Sequence, residues 1–201
     1  DKVIVLDPGH GGPDPGVEGR GLSEAVIAED LARRVEGRLA AIGTQVLVTR
    51  PPSRFLFRNV TEEERASLAE EVDADLVISV HADAGASGHE HGVATYYYGN
   101  SRNYSELGRR FAELVQSEIV TRTDLVDCHS HPKTWDMLRL TSMPTVRIEV
   151  GYLSHPGDAS RLSQPRFRDT LAEAIAAAAV AFFSPQADSD EDEVGAEDST
   201  P

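Results

Sequence analysis

The sequence predicts a single α/β domain with a central, mixed but mostly parallel β-sheet flanked by helices. Short apolar runs suited to buried strands alternate along the chain with longer segments whose apolar residues recur at helical spacing. This alternation is typical of layered folds in which helices cover a largely parallel sheet. The length of 201 residues fits one such domain, and 40% hydrophobic residues suffice for one sizeable core.

The first predicted elements follow from apolar spacing and from residues that end helices. Val3–Leu6 predicts a buried strand, and the Gly- and Pro-rich residues 7–21 predict a loop. A helix is predicted over residues 23–42, where apolar residues recur three or four positions apart. Ser23 is its expected N-cap, and Gly43 ends it.

The remainder of the chain continues the alternation. The further predicted elements are strands at 45–49, 75–80, 92–98 and 146–150 and helices at 61–71, 103–120 and 165–183. Thr61 and Glu64 have the spacing of a capping box, which marks the beginning of the second helix.

The charge balance limits the classes of partner. The net charge is −15, and nucleic-acid binding needs a basic face, so we expect no nucleic-acid partner. Seven acids and no base lie in residues 187–201, which have almost nothing apolar to bury. We therefore expect a folded domain at residues 1–185 and a disordered acidic tail at residues 186–201.

Other broad classes are excluded by the same composition. No apolar run approaches the ~20 residues of a membrane span, so we expect no such span. The single cysteine cannot form an internal disulfide. Asp1 and Lys2 lead directly into an apolar strand, so no signal peptide is expected in this chain, and the cellular compartment stays open. We expect a monomer.

Two histidines follow two of the predicted strands. His10 lies in the loop after the first strand, and His81 follows the strand at 75–80. Because the carboxyl ends of parallel strands meet at one edge of a sheet, the two imidazoles can lie close together. Catalytic zinc takes three protein ligands, and Glu24, in the first turn of the helix after the glycine loop, is well placed to be the third.

Glu149 interrupts the apolar strand at 146–150. A carboxylate buried there without a partner costs several kcal/mol, so it needs either a chemical role or a structural partner such as Arg147. Each of the four residues, taken alone, also has an ordinary explanation. A histidine after a strand is usually a hydrogen-bonded polar residue, and Glu24 suits the positive end of a helix dipole.

Four motifs in order resemble the zinc-dependent N-acetylmuramoyl-L-alanine amidase family of the amidase-3 type. They are Asp7-Pro-Gly-His-Gly-Gly, Gly21-Leu-Ser-Glu, Ser79-Val-His-Ala-Asp-Ala and Arg147-Ile-Glu-Val-Gly-Tyr-Leu-Ser. The similarity covers about residues 3–183, and it agrees with the α/β sheet predicted above. The resemblance implies that His10, Glu24 and His81 bind Zn²⁺ and that Glu149 is the catalytic glutamate.

The resemblance also implies a reaction and a substrate. The reaction is hydrolysis of the amide between the lactyl group of N-acetylmuramic acid and the L-alanine of the stem peptide. The substrate is then peptidoglycan or a muropeptide. Asp83 departs from the family pattern, which commonly has Asn at that position, and adds negative charge near the metal.

Two other interpretations stay open. Within this family, the sequence looks most like a group of actinobacterial members. That resemblance points to control of cell-wall precursor synthesis from the cytoplasm and not to cleavage of the wall. An amidase-like regulatory or binding domain, with a regulatory protein partner and weak or no catalysis, is therefore the alternative. A zinc hydrolase that acts on another peptide amide is the third interpretation.

Three further runs of residues contain potential metal ligands or adjacent tyrosines. Cys128–His131 contains three potential ligands that are too close in sequence for an ordinary closed zinc site without distant help. His89–His91 lies in a glycine-rich loop and is expected to be exposed. Tyr96–Tyr98 is expected to pack within its strand, with a substrate-facing tyrosine as the alternative.

Overall fold

The computed structural model describes residues 2–55 and 57–184, which build a mixed six-stranded sheet and six helices. The strands are β1 (Val3–Pro8), β2 (Glu18–Gly19), β3 (Leu22–Ser23), β4 (Gln45–Val48), β5 (Leu76–Asp83), β6 (Val93–Tyr98), β7 (Asp127–Lys133) and β8 (Thr145–Tyr152). The sheet has the order β4-β1-β5-β8-β6-β7, while β2 and β3 pair separately as a hairpin. Strands β4, β1, β5 and β8 run parallel, and β6 and β7 run in the opposite direction.

Helices cover both faces of the sheet unequally. They are α1 (Glu24–Ala41), α2 (Glu62–Glu71), α3 (Glu106–Arg122), α4 (Asp136–Arg139), α5 (Pro156–Ser163) and α6 (Pro165–Phe183). Helices α1, α3 and α6 pack on the main face, where Leu6, Ile78 and Ile148 belong to the large core. The opposite face, called the second face below, has a smaller core that includes Val77 and Met137. The rest of the second face is therefore free for polar side chains.

The predicted α/β fold is confirmed, and each predicted helix and strand is present with small shifts at its ends. Strand β7 was not predicted, because its sequence from Asp127 to Lys133 has no apolar alternation. It lies at the edge of the sheet and exposes most of its side chains, so burial places little demand on its composition. The hairpin β2–β3 and the short helices α4 and α5 were likewise not predicted.

The two predicted helix starts differ in detail. Thr61 and Glu64 form the predicted capping box: the Thr61 side chain accepts from the Glu64 amide at 3.2 Å, and the Glu64 side chain accepts from the Thr61 amide at 3.0 Å. Ser23 precedes α1 as predicted, but its hydroxyl donates to the carbonyl of Pro15 instead of capping the helix. The carbonyl of Val17 accepts from the Glu24 amide at 2.9 Å. The loop therefore lies directly against the first turn of α1.

Two remaining predictions concern membrane spans and the C-terminal tail. None of the helices within the described ranges is long and apolar enough to cross a membrane. The predicted acidic tail at residues 186–201 lies outside the described residues. The boundary after residue 185 therefore stays a prediction.

Candidate active site

The second face brings the predicted residues together at the carboxyl ends of three parallel strands. His81 of β5 and Glu149 of β8 are register partners on adjacent strands. His10 follows β1, which pairs with β5 on its other side, and Glu24 is the first residue of α1. Ligand atoms of His10, Glu24 and His81 all lie within 4.8 Å of one another, and no other such group of three occurs in the described part of the chain.

Glu24 is the centre of this cluster. Its Oε1 lies 2.8 Å from Nδ1 of His81 and 3.2 Å from Nε2 of His10. The amide of Val17 donates to its Oε2 at 2.9 Å, and the amide of Ala82 donates to Oε1 at 3.3 Å. Glu24 is 2% exposed and His81 is 6% exposed. The carboxylate and the His81 imidazole therefore have little access to bulk water, while the His10 side chain is 28% exposed.

The loop that carries His10 adopts a conformation that favours glycine. His10 has a φ of 56° and Gly16 has a φ of 65°. A Cβ at Gly16 would lie 2.6 Å from Oε2 of Glu24 and 2.7 Å from the ring of His10, so only glycine allows this close approach. Oδ2 of Asp14 lies 2.8 Å from Nδ1 of His10. That contact orients the ring with Nε2 toward Glu24.

Two arginines, Arg50 and Arg65, hold the backbone of this loop. Arg50 donates to the carbonyls of Pro8 at 3.0 Å and Gly9 at 3.2 Å. Arg65 donates to the carbonyls of Pro8 and His10, both at 2.8 Å. Both arginines are buried. Three successive carbonyl groups are thus fixed by charged donors, which set the position of His10.

Asp7 is the buried carboxylate that balances Arg65. One of its oxygens accepts from Arg65 at 2.8 Å and from Thr49 at 2.6 Å, and the other accepts from Ser79 at 2.6 Å. Burial alone raises the pKa of Asp7, but the charge of Arg65 and the three donors together outweigh it. The pKa therefore lies below its ordinary value of 3.8, and Asp7 stays ionised at neutral pH.

The protonation states of the cluster follow from its hydrogen bonds and burial. The hydrogen bond with Glu24 raises the pKa of His10 to about 8, and Asp14 contributes in the same direction. At His81 burial dominates and lowers the pKa. Burial would raise the pKa of Glu24, but the hydrogen bonds from both imidazoles outweigh it and hold the pKa far below its ordinary value of 4.5. Without a metal, Glu24 is thus ionised and His10 is protonated at neutral pH.

Glu149 is buried beside this cluster with one of its two oxygens satisfied. It is 3% exposed, and its Oε1 accepts from Nε of Arg147 at 2.8 Å. Its Oε2 is buried and has no hydrogen-bond partner among the residues that the structure describes. Burial raises the pKa of Glu149 to about 7, although the charge of Arg147 acts in the opposite direction. The structural partner considered for Glu149 is therefore present, but it satisfies only half of the carboxylate.

A pocket of about 170 Å³ opens at the cluster. Its lining includes His10, His81, Asp14, Arg65 and Arg147. Small groups of the size of an amide can therefore approach the two imidazoles from this side.

Asp14, Arg50 and Arg65 are site residues that the sequence pattern did not reveal. The available signal for Arg50 is its position directly after the predicted strand at 45–49, at the same sheet edge as His10. Asp14 and Arg65 reach His10 from a loop and from α2, and their partners depend on packing that a linear pattern does not contain.

The Cys128–His131 run does not form a ligand cluster within residues 2–55 and 57–184. Nδ1 of His129 lies 3.3 Å from a carboxylate oxygen of Asp127, and Nε2 of His131 lies 2.6 Å from the carbonyl oxygen of Cys128. These side chains therefore contact their own strand. His89 and His91 are exposed, as predicted.

The tyrosine run and Asp83 have more specific positions. Tyr97 packs against the large core on the main face. Tyr96 lies on the second face, with its ring centroid 4.8 Å from that of Trp135. Asp83 is half-buried at the end of β5, and its charge is one of the causes that raise the pKa of Glu149. The expected negative charge is therefore present beside the cluster.

Comparison with curated proteins identifies close relatives. A family model described as N-acetylmuramoyl-L-alanine amidase matches residues 4–181. The chain is 44% identical over 182 residues to N-acetylmuramoyl-L-alanine amidase CwlM of Mycobacterium tuberculosis, covering 88% of this chain and 44% of the relative. It is 30% identical to N-acetylmuramoyl-L-alanine amidase LytC of Bacillus subtilis, covering 90% of this chain and 36% of the relative. The chain thus spans less than half the length of these relatives.

Solved structures show the same architecture over almost their whole length. The amidase AmiC2 of Nostoc punctiforme superposes with a TM-score of 0.82 at 30% identity, covering 90% of this chain and 96% of that chain. The catalytic domain of the amidase CwlV from Bacillus (Paenibacillus) polymyxa var. colistinus also gives 0.82, at 29% identity, covering 90% and 98%. The chain belongs to the N-acetylmuramoyl-L-alanine amidase family.

Proposed function

We propose that this chain is a zinc-dependent amidase that cleaves the bond between N-acetylmuramic acid and the L-alanine of peptidoglycan stem peptides. One observation carries the proposal: the convergent group of His10, Glu24 and His81 lies beside a buried glutamate, Glu149, whose Oε2 has no partner among the described residues. Membership of the amidase family supplies the class of substrate.

The donor set suits zinc. Two imidazoles and one carboxylate are a common ligand set of catalytic zinc sites, which keep one position open for water or substrate. Asp14 holds His10 by the ring nitrogen that faces away from Glu24, which is the arrangement expected around a metal-binding histidine. A zinc ion held there would lower the pKa of a water molecule toward ~7 and polarise the carbonyl group of the scissile amide.

Glu149 supplies the proton chemistry. Its Oε2 accepts a proton from the attacking water as the water oxygen bonds to the carbonyl carbon. The same oxygen then returns that proton to the departing amine nitrogen as the carbon–nitrogen bond breaks. Arg147 holds Oε1 at 2.8 Å, so it fixes the direction in which Oε2 points. A pKa near neutrality suits a group that both accepts and donates a proton.

One observation favours a second function, in which the domain binds a muropeptide or a regulatory protein partner with weak or no turnover. The ion pair between Arg147 and Glu149 stabilises the ionised carboxylate but also occupies one of its oxygens. If Arg147 instead keeps Glu149 from accepting a proton, the group of His10, Glu24 and His81 could still bind a metal ion without hydrolysis.

Mass spectrometry of a defined muramyl-peptide tests both functions. The zinc-loaded wild type, Glu149→Ala and the control Glu173→Ala are incubated with substrate, and their zinc content is measured in parallel. Glu173 is an exposed residue of α6, far in sequence from the cluster. We expect wild type and Glu173→Ala to release free stem peptide, and Glu149→Ala to keep zinc without cleavage.

The alternatives have distinct outcomes. Zinc-loaded wild type that cleaves nothing would favour the binding function. Full activity of Glu149→Ala would remove Glu149 from the mechanism. Wild type that fails to retain zinc would refute the proposed ligand set.

A further inference from the structure

A wall of two cations and two aromatic rings lies on the second face next to Glu149. We define this cation–aromatic wall as Tyr96, Lys133, Trp135 and Arg147. The guanidinium carbon of Arg147 lies 4.7 Å from the centroid of the Trp135 ring, and the ammonium of Lys133 lies 5.5 Å from the same centroid. Lys133 also lies 5.9 Å from the centroid of the Tyr96 ring. Both cations thus contact aromatic faces, an arrangement that stabilises a positive charge.

Strand register places this wall on the same side of the sheet as the cluster. Tyr96 pairs with Arg147 of β8, and Tyr98 pairs with Lys133 of β7. Because side chains alternate along a strand, Lys133 points to the same face as Arg147 and Glu149. Lys133 lies two strands across from Glu149 and four residues along the sheet, because Glu149 pairs with Ala94 and Lys133 pairs with Tyr98. From the strand spacing and the rise per residue, the two backbones are about 16 Å apart.

Lys133 is unusual in its pairing. The chain has only two lysines. Lys2 lies 2.6 Å from a carboxylate oxygen of Asp75. Lys133, in contrast, has no carboxylate at ion-pair distance within residues 2–55 and 57–184, although the chain carries a net charge of −15. Its side chain is exposed, so an anion from solution can reach it.

We propose that Lys133, supported by Trp135, binds a carboxylate of the stem peptide and so selects anionic peptides as substrates. This inference rests on the proposed amidase function. The glycan side of the scissile bond carries no ionised group once the lactyl carboxyl is in the amide, so the carboxylates belong to the peptide. An extended chain advances 3.3–3.6 Å per residue, and a lysine side chain shortens the remaining gap. The carboxylate is therefore that of the second or third peptide residue.

Trp135 provides a direct measurement, because it is the only tryptophan of the chain. Its fluorescence is followed while protein is titrated with synthetic L-Ala-γ-D-Glu-L-Lys. Two further peptides carry a carboxamide in place of the carboxylate of the second or of the third residue. We expect wild type to bind the free peptide about tenfold more tightly than one of the two amidated peptides. We expect Lys133→Met to bind all three peptides alike, and Lys133→Arg to restore the preference.

The control variant and the cleavage assay of the muramyl-peptide separate this inference from the proposed function. Lys2→Met removes the other lysine and should leave the preference unchanged. Equal binding of all three peptides by wild type, or an unchanged preference in Lys133→Met, would overturn the inference even if the muramyl-peptide is cleaved. A preference that depends on Lys133 without any cleavage would support peptide recognition and refute the amidase function. Absence of both binding and cleavage would refute both.

Discussion

Glu149 and His81 occupy opposite positions on two adjacent parallel strands, β8 and β5, at the last regular pair before the register of β5 shifts. One strand thus supplies a glutamate and its neighbour supplies an imidazole at the same level of the sheet. The regular backbone ladder holds the two side chains at a set separation. The proposed proton acceptor and the proposed metal ligand are therefore positioned by the hydrogen-bonded ladder between two central strands.

Zinc uptake is expected to release a proton from His10. The hydrogen bond with Glu24 raises the pKa of His10 to about 8, so the metal-free protein carries a proton there at pH 7, and zinc requires the neutral imidazole. About one proton is released per zinc at pH 7, and affinity falls roughly tenfold per pH unit below 8. Titration calorimetry in two buffers of different ionisation enthalpy measures this. His129→Ala, which alters an exposed histidine, is the control; heats independent of the buffer would contradict the prediction.

Glu149→Gln is expected to stabilise the metal-free protein above pH 7. Burial raises the pKa of Glu149 from 4.5 to about 7. The folded state therefore binds this proton more tightly than the unfolded state, and the stability of the wild type falls as pH rises from about 4.5 through 7. A neutral amide avoids that loss, so the variant gains up to about 3 kcal/mol at pH 8 and little at pH 4. Urea denaturation at both pH values measures the gain, with the exposed Glu173→Gln as control; a gain of equal size at pH 4 and pH 8 would argue against this origin.

Arg65→Met is expected to destabilise the protein by about 3–5 kcal/mol, because it leaves Asp7 charged and buried without its partner. Asp7→Asn combined with Arg65→Met should recover part of that loss. The exposed pair of Arg58 and Glu64 offers a matched control, for which Arg58→Met should change the free energy of unfolding far less, because solvent screens an exposed ion pair. Denaturation of the single and double variants gives the coupling energy, and additive effects would show that Asp7 and Arg65 act independently.

Removal of residues 186–201 is expected to leave the melting temperature and the zinc content unchanged. These residues carry seven acids and almost nothing apolar, so we expect them to add nothing to the core of the domain. Calorimetry of the chain shortened after residue 185 checks this. A clear drop in melting temperature would place the domain boundary further along the chain.

Much of the candidate site was predictable because its residues lie at the ends of strands or in the first turn of a helix. His10 and His81 lie where predicted strands end, and Glu24 lies where a predicted helix begins, so topology alone brings them to one edge. Glu149 was predicted as a candidate because a charged residue within an apolar strand needs a chemical role or a structural partner. The bond between Arg147 and Glu149 was only one of two explanations considered, because a side-chain direction is not contained in a linear pattern.

Other features depended on contacts between distant segments. Strand β7 is held at the sheet edge by hydrogen bonds to β6 and not by an apolar pattern of its own. Trp135 follows β7, and its position against Arg147 becomes defined only when that edge strand is in place. Ser23 was expected to cap α1, but the adjacent loop supplies backbone carbonyls there instead.

The sequence by itself determined the class of fold, because hydrophobic periodicity is a local property. It indicated the four candidate site residues through their places at strand and helix ends and through the family motifs that they match. Only the tertiary structure decided which charges face one another. It paired Arg65 with Asp7, left Oε2 of Glu149 without a partner among the described residues, and placed Lys133 over two aromatic rings. The pairs Arg65 with Asp7 and Lys133 with Tyr96 join residues far apart along the chain, so their distances are set by packing and not by spacing in the sequence.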